Sequence, residues 1–321
     1  MRIRTSSVLA IGLLFAIAAS TSARPQAAPL PEPKAPIVNP FKSVAPLAEC
    51  LAQSSTLVSG HRGGIEPGYP ENAIETFAHS VAQHPLVLEI DVRTSRDGVM
   101  VLMHDATIDR TSTGKGAISD LTVAEIQAAA LKDKEGRVTS FQIPTFEAAI
   151  RWAKGRAVLL ADVKEDASVE AIAAMIGTHE AQSNVAVIVY SLGQAQRLHR
   201  ADPNITILYP VETDAELEAL QNSGVPLDNV VAWTGIEHER PEQWNLMRQR
   251  GLAVAFGTLF FIDPELARTG NDARYLGLSR EGIAMLATDR HHQAFEAIQR
   301  ERDIYAALHR CKATPEASHP F

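Results

Sequence analysis

The stretch LVLEIDVRTSRDGVMVLMHD, residues 86–105, opens with the apolar run Leu86–Ile90. A run without polar alternation suits a strand covered on both faces, and hence a parallel sheet. Residues two apart on a strand point the same way, so Glu89 and Asp91 share one face while Ile90 takes the other. Similar runs recur at Thr56–Ser59, Ala157–Ala161, Val185–Tyr190, Ile205–Tyr209, Asn229–Ala232, Ala253–Phe256 and Ile283–Ala287, most of them followed by a helical pattern. Eight strand–helix repeats over about 250 residues predict a closed (β/α)8 TIM barrel. An open doubly wound sheet is the runner-up. The rhythm breaks at the extra strand Val99–Met103, the loop DATIDRTSTGKGAISD and a short helix that Asp120 or Thr122 could cap. This predicts a small inserted segment after the second strand, residues 104–146, above the barrel.

The 321 residues are 45% apolar, enough for a large core. The net charge of -8 is scattered rather than blocked, so no basic face is offered to a nucleic acid. Arg2 and Arg4 precede an apolar run from Val8 to Ala19, and small residues follow to Ala23. That run is too short to span a bilayer and reads as a signal peptide over residues 1–23. The chain is therefore expected to be exported, periplasmic or secreted, with no stable membrane insertion after cleavage. Residues 24–45 read as a proline-rich linker, 46–313 as one barrel domain and 314–321 as a tail. Export favours a disulfide between Cys50 and Cys311, near the two ends of the folded part; two separate buried thiols are the alternative.

Functional groups in such barrels gather at the carboxyl ends of strands. His61 and Arg62 end the first run, Glu89 and Asp91 the second, and Asp162 and Lys164 the third, while His104 follows the extra strand. Three carboxylates at one mouth repel unless a cation lies among them, and hard oxygen donors suit Mg²⁺ or Ca²⁺. The competing interpretation is a salt-bridged rim with Arg62 and Lys164. Two histidines can divide acid and base work, a division suited to phosphodiester cleavage. The other histidines, among them His79 and His84, read as structural, and His291–His292 as surface residues at the start of the last helix.

The segments HRGG, PENAIETF and LEIDVRTSRDGVMVLMHDATIDRTSTGKG, dense through residues 60–116, resemble the glycerophosphodiester phosphodiesterase family. ADVK at 161–164 and MLATDR at 285–290 fit its third acidic strand end and its last strand. The resemblance implies a (β/α)8 barrel with an insertion, one divalent cation, and hydrolysis of a small glycerophosphodiester to glycerol 3-phosphate and an alcohol through a cyclic phosphate. Carried over, His61 and His104 are the acid–base pair, with His61 as base in the first step. Arg62 contacts the phosphate, Glu89, Asp91 and Asp162 hold the metal, and Lys164 neutralises a phosphate oxygen. Glu71 and Asn72, in a proline-fixed turn, position His61, Arg62 or the metal.

Three features depart from the family pattern, one being that the usual proline is absent after Asp289. Aspartate stands at 162 where glutamate is usual. The seventh strand reads AFGTLFF without the usual tryptophan, and Trp233 instead ends the sixth run, among the expected substrate-binding residues. Asp162-x-Lys164 also looks like sphingomyelinase D and lysophospholipase D barrels, although no exposed apolar loop is expected to signal membrane contact. A non-catalytic phosphoester-binding barrel is a third reading, and no protein partner is implied.

Overall fold

In the computed structural model, which describes residues 29–34 and 36–313, the apolar runs become strands. They are β1 (Leu57–Gly60), β2 (Val87–Thr94), β3 (Met100–Leu102), β4 (Ala130–Lys132), β5 (Val138–Gln142) and β6 (Val158–Val163). β7 (Val185–Ile188), β8 (Thr206–Pro210), β9 (Val230–Trp233), β10 (Ala253–Gly257) and β11 (Met285–Thr288) complete the series. Among the described residues, eight of these close into a parallel barrel in the order β1, β2, β6, β7, β8, β9, β10, β11, with β11 returning to β1. β3 adds to β2 antiparallel. The expected signal peptide and the tail at 314–321 lie outside the described residues.

The helices are α1 (Val44–Ala52), α2 (Ile74–Gln83), α3 (Val123–Ala128), α4 (Phe146–Ala153), α5 (Val169–Thr178) and α6 (Leu192–Ala201). They continue as α7 (Asp214–Gln221), α8 (Pro241–Gln249), α9 (Ile262–Thr269), α10 (Ala273–Arg280), α11 (His291–Gln299) and α12 (Ile304–Ala313). Four consecutive barrel helices begin on a hydroxyl: Thr145, Ser168, Ser191 and Thr213 each accept a backbone N–H from the first turn. Each such cap satisfies a donor the helix cannot, and fixes where the strand-to-helix loop ends. No helix among the described residues is long and apolar enough to cross a membrane.

The insertion packs Ile108, Ile118, Ile126, Leu131 and Ile143 against Val101 and Met103 in a second small core. Its cap is Thr122, which forms a capping box with Glu125. The β4–β5 hairpin within it had no counterpart in the sequence reading.

The stretch read as linker is partly folded. Ile37 is buried, and the Asn39 amide donates to the carbonyls of Ser43 and Ser183. The N–H groups of Val44 and Ala45 both donate to the Thr206 hydroxyl at 2.9 and 2.8 Å, which caps α1 from the first residue of β8. Proline-rich composition conceals the apolar positions Ile37, Val44 and Leu47, whose burial outweighs the cost of ordering this segment. α1 thus covers the amino end of the barrel, packing on β1, β8, β9, β10 and α12. A disulfide joins Cys50 in α1 to Cys311 in α12, with α-carbons 6.1 Å apart.

Candidate active site

Strand register builds the mouth. β2 and β6 are neighbours with Asp91 opposite Asp162. Residues paired in this way stand ~4.8 Å apart and point the same way. Glu89, two residues before Asp91, joins them on that face. One carboxylate oxygen from each of the three lies within 4.8 Å of the others, and all three residues are buried.

Burial, and then the charge on Asp91, push Glu89 up to about 8. Burial also works against Asp91, but Lys164 and the Asn72 amide outweigh it and hold the group below its usual value. Lys164 Nζ lies 2.7 Å from Asp91 and 2.5 Å from Asp162, so its ammonium sits on the acids. Tyr190 donates its hydroxyl to the other Asp162 oxygen at 2.8 Å. A carboxyl that keeps its proton to about 8 even with a lysine beside the cluster marks a site short of positive charge. Buried hard oxygens at this spacing fit a divalent cation of the Mg²⁺ or Ca²⁺ kind.

β1 and β11 pair with Gly60 opposite Thr288, which brings the residues beyond each strand end together. His61 Nδ1 consequently lies 2.8 Å from Asp289. An ionised carboxylate only accepts, so Nδ1 carries the proton and Nε2 of the neutral ring is left as an acceptor. His104 repeats the arrangement, its Nδ1 2.8 Å from Asp105. Burial lowers the pKa of His61, yet the Asp289 hydrogen bond and the charge of Glu89 raise it further, for a net increase. Asp289 is fixed in turn by its N–H, which donates to buried Asp263; Tyr275 and Thr288 hydroxyls donate to the same carboxylate.

Arg62 is held at both ends of its backbone. Its N–H donates to Glu89 at 2.7 Å, and its carbonyl accepts from the Asn72 N–H at 2.9 Å. This requires φ of 51°, a region that costs a non-glycine residue on the order of 1 kcal/mol. Gly63 follows at φ 91°, where a Cβ would come 2.2 Å from the Phe77 ring, so only glycine lets the loop lie on α2. The Arg62 guanidinium pairs with Glu71, which also takes two hydrogen bonds from Arg110 at 2.8 and 2.9 Å. Asn72 clamps Asp91 in both directions, donating at 2.7 Å and accepting the Asp91 N–H at 2.9 Å. Glu71 and Asn72 therefore act on Arg62 and Asp91 rather than directly on His61.

A cavity of about 170 Å³ opens beside the acids, lined by His61, Glu89, Asp162, Tyr190, Trp233 and Leu259 among others. Two expectations are corrected at this end. The loop after β10 does expose apolar groups, with Phe260 at 61% and Phe261 at 49%, and the Phe260 ring meets His61 edge-on at 6.0 Å. His291 is not a surface residue: at 2% exposure it is buried where α11 begins, and α12, not α11, is the last helix. Gly64, whose added Cβ would lie 3.0 Å from the His291 ring, is what lets that ring tuck under the β1 loop.

These features define a (β/α)8 barrel of the phosphodiesterase type, with its acids and histidine–aspartate pairs at the carboxyl mouth. Residues 61–254 match the model of the glycerophosphoryl diester phosphodiesterase family, and the chain belongs to that family. It is similar to the crystal structure of a glycerophosphoryl diester phosphodiesterase from Parabacteroides distasonis at 32% identity, covering 82% of this chain and 93% of that one, with a TM-score of 0.76. It aligns at 40% identity over 72 residues with a glycerophosphodiester phosphodiesterase of Caldanaerobacter subterraneus, 22% of this chain and 29% of that protein. The chain spans less than two thirds of the length of the curated relatives it matches. An Oleispira antarctica phosphodiesterase solved with the product sn-glycerol-3-phosphate shares the fold at 22% identity and TM-score 0.62, covering 76% of this chain and 97% of that one.

Four partners escaped the sequence reading: Asp105, Arg110, Tyr190 and Asp289. Asp105 and Asp289 each stand two residues beyond the end of a quoted run, a position that could have flagged them. Nothing in the chain's linear order pairs Arg110 with Glu71.

Proposed function

We propose that the chain hydrolyses small glycerophosphodiesters to glycerol 3-phosphate and an alcohol. The observation that carries this is the cluster of three buried acids at the barrel mouth, with His61 lining the same cavity as Glu89 and Asp162. Glu89, Asp91 and Asp162 would hold one divalent cation, whose positive charge when bound would offset the negative charge on the phosphoryl oxygens. Arg62, oriented by Glu71, donates to a phosphoryl oxygen.

His61, with its raised pKa, starts as the proton donor and His104 as the acceptor, the reverse of the order expected from sequence. The glycerol 2-hydroxyl attacks phosphorus and gives its proton to His104 Nε2. The phosphorus–oxygen bond to the alcohol breaks, and the leaving oxygen takes the proton of His61 Nε2. Water then attacks the cyclic phosphate and passes its proton to His61, while His104 returns one to the 2-oxygen, leaving glycerol 3-phosphate. Lys164 shares its donors between the acids and a phosphate oxygen, and Trp233 walls the alcohol side of the cavity.

A second reading, cleavage of a lysophospholipid head group, is favoured by one observation, the exposed Phe260–Phe261 pair beside the cavity. Incubation with glycerophosphocholine and, separately, lysophosphatidylcholine, with Mg²⁺ or Ca²⁺ supplied, separates the two. Glycerol 3-phosphate and choline from the first substrate are expected. Turnover of the lipid alone would replace the proposal with the second reading. The site is further proposed to act outside the cytoplasm, since a terminal disulfide suits an oxidising compartment. Protein recovered from producing cells is expected to begin at Arg24.

A further inference from the structure

The loop after β1 and the first turn of α11 meet at a second cluster that the proposed reaction does not use. Glu66 comes from the loop, His291 and His292 from the helix, and one ligand-type atom of each lies within 4.8 Å of the others. His291 Nε2 is 3.5 Å from Glu66 Oε1, and His292 Nε2 contacts the same oxygen. His291 is 2% exposed. Both nitrogens of both rings and Glu66 Oε1 are buried without a hydrogen bond. Beyond these Nε2 approaches to Glu66 neither ring has a polar partner, and two buried imidazoles turned on one carboxylate oxygen need something to satisfy them.

We propose that Glu66, His291 and His292 form a binding site for a borderline divalent cation of the Zn²⁺ class, separate from the Glu89–Asp91–Asp162 cluster. Two imidazoles and one carboxylate are a Zn²⁺ donor set, with a fourth position for water. The other Glu66 oxygen is hydrogen-bonded by His79 Nε2 at 2.9 Å, and His79 stacks on Tyr69 at 3.7 Å, an outer partner that fixes the carboxylate's direction. Gly64 makes room for the His291 ring. The ion would tie the segment carrying His61 and Arg62 to the segment that follows Asp289, and so brace the His61–Asp289 pair from beneath. His291 and His292 lie beyond the family-matched residues 61–254.

The test loads metal-stripped full-length chain with Co²⁺, which absorbs strongly in the visible when four-coordinate with nitrogen ligands and weakly in an all-oxygen six-coordinate site. The wild-type chain and Glu89→Gln are expected to show the strong band, and Zn²⁺ to bleach it. His292→Asn and Glu66→Gln, each checked for a native circular dichroism spectrum, are expected to lose it. Absence of the band in the wild type, its loss in Glu89→Gln, or its persistence in either His292→Asn or Glu66→Gln would overturn the assignment.

Discussion

The carboxyl end of the barrel gathers three buried acids, two histidine–aspartate pairs and an arginine with positive φ. At the amino end, α1 covers the strands with Val44, Leu47, Ala48 and Leu51, takes its cap from Thr206 and is tied to α12 by a disulfide. One end concentrates charge out of water, which opposes folding; the other buries apolar surface and crosslinks the chain, which favours it. The difference teaches that substitutions at the two ends should separate: activity lost without stability at the mouth, stability lost without activity at the base.

The sharpest contrast is Glu89→Gln. It is expected to lower kcat on glycerophosphocholine by ~10³-fold, about 4 kcal/mol of transition-state stabilisation. In chelator its effect on folding has the opposite sign. The pKa of Glu89 is raised from 4.5 to about 8 in the folded chain, so the wild-type melting temperature should fall as pH rises across that window. The amide, having no charge to bury, should flatten the slope. Loss of stability in Glu89→Gln at pH 8 in chelator would break the comparison.

At the base, replacing Cys50 and Cys311 together by serine is expected to cost about 3 kcal/mol in denaturant unfolding and leave kcat unchanged. A smaller effect at the same end is Thr206→Val, which strips the acceptor from two buried N–H groups and should cost about 1–2 kcal/mol, again without effect on turnover. Smallest in size is Asp289→Asn. Asp289 raises the pKa of His61, so its removal lowers that pKa and moves the alkaline limb of kcat/KM to lower pH. An unmoved limb would show that His61 is not the first donor.

The eight apolar runs gave the barrel because each is short, uninterrupted and followed by helical spacing, signals local enough to read in one dimension. Glu89, Asp91 and Asp162 were legible for the same reason, standing two residues apart on a strand or at the end of one. The partners were not. His61 and Asp289 are 228 residues apart and meet only because β1 closes the barrel against β11. The burial of His291 depends on a missing Cβ at Gly64. The docking of residues 36–45 was concealed by prolines, and β4 and β5 by strands of three and five residues in a polar setting.

The most direct test of the mouth is the rate of glycerol 3-phosphate release from glycerophosphocholine by His104→Ala, measured with the divalent cation restored. A fall of ~10²–10⁴-fold in kcat, with the melting temperature unchanged, is the predicted result. Undiminished turnover by that variant would contradict the assignment of the two imidazoles to proton transfer at the acid cluster.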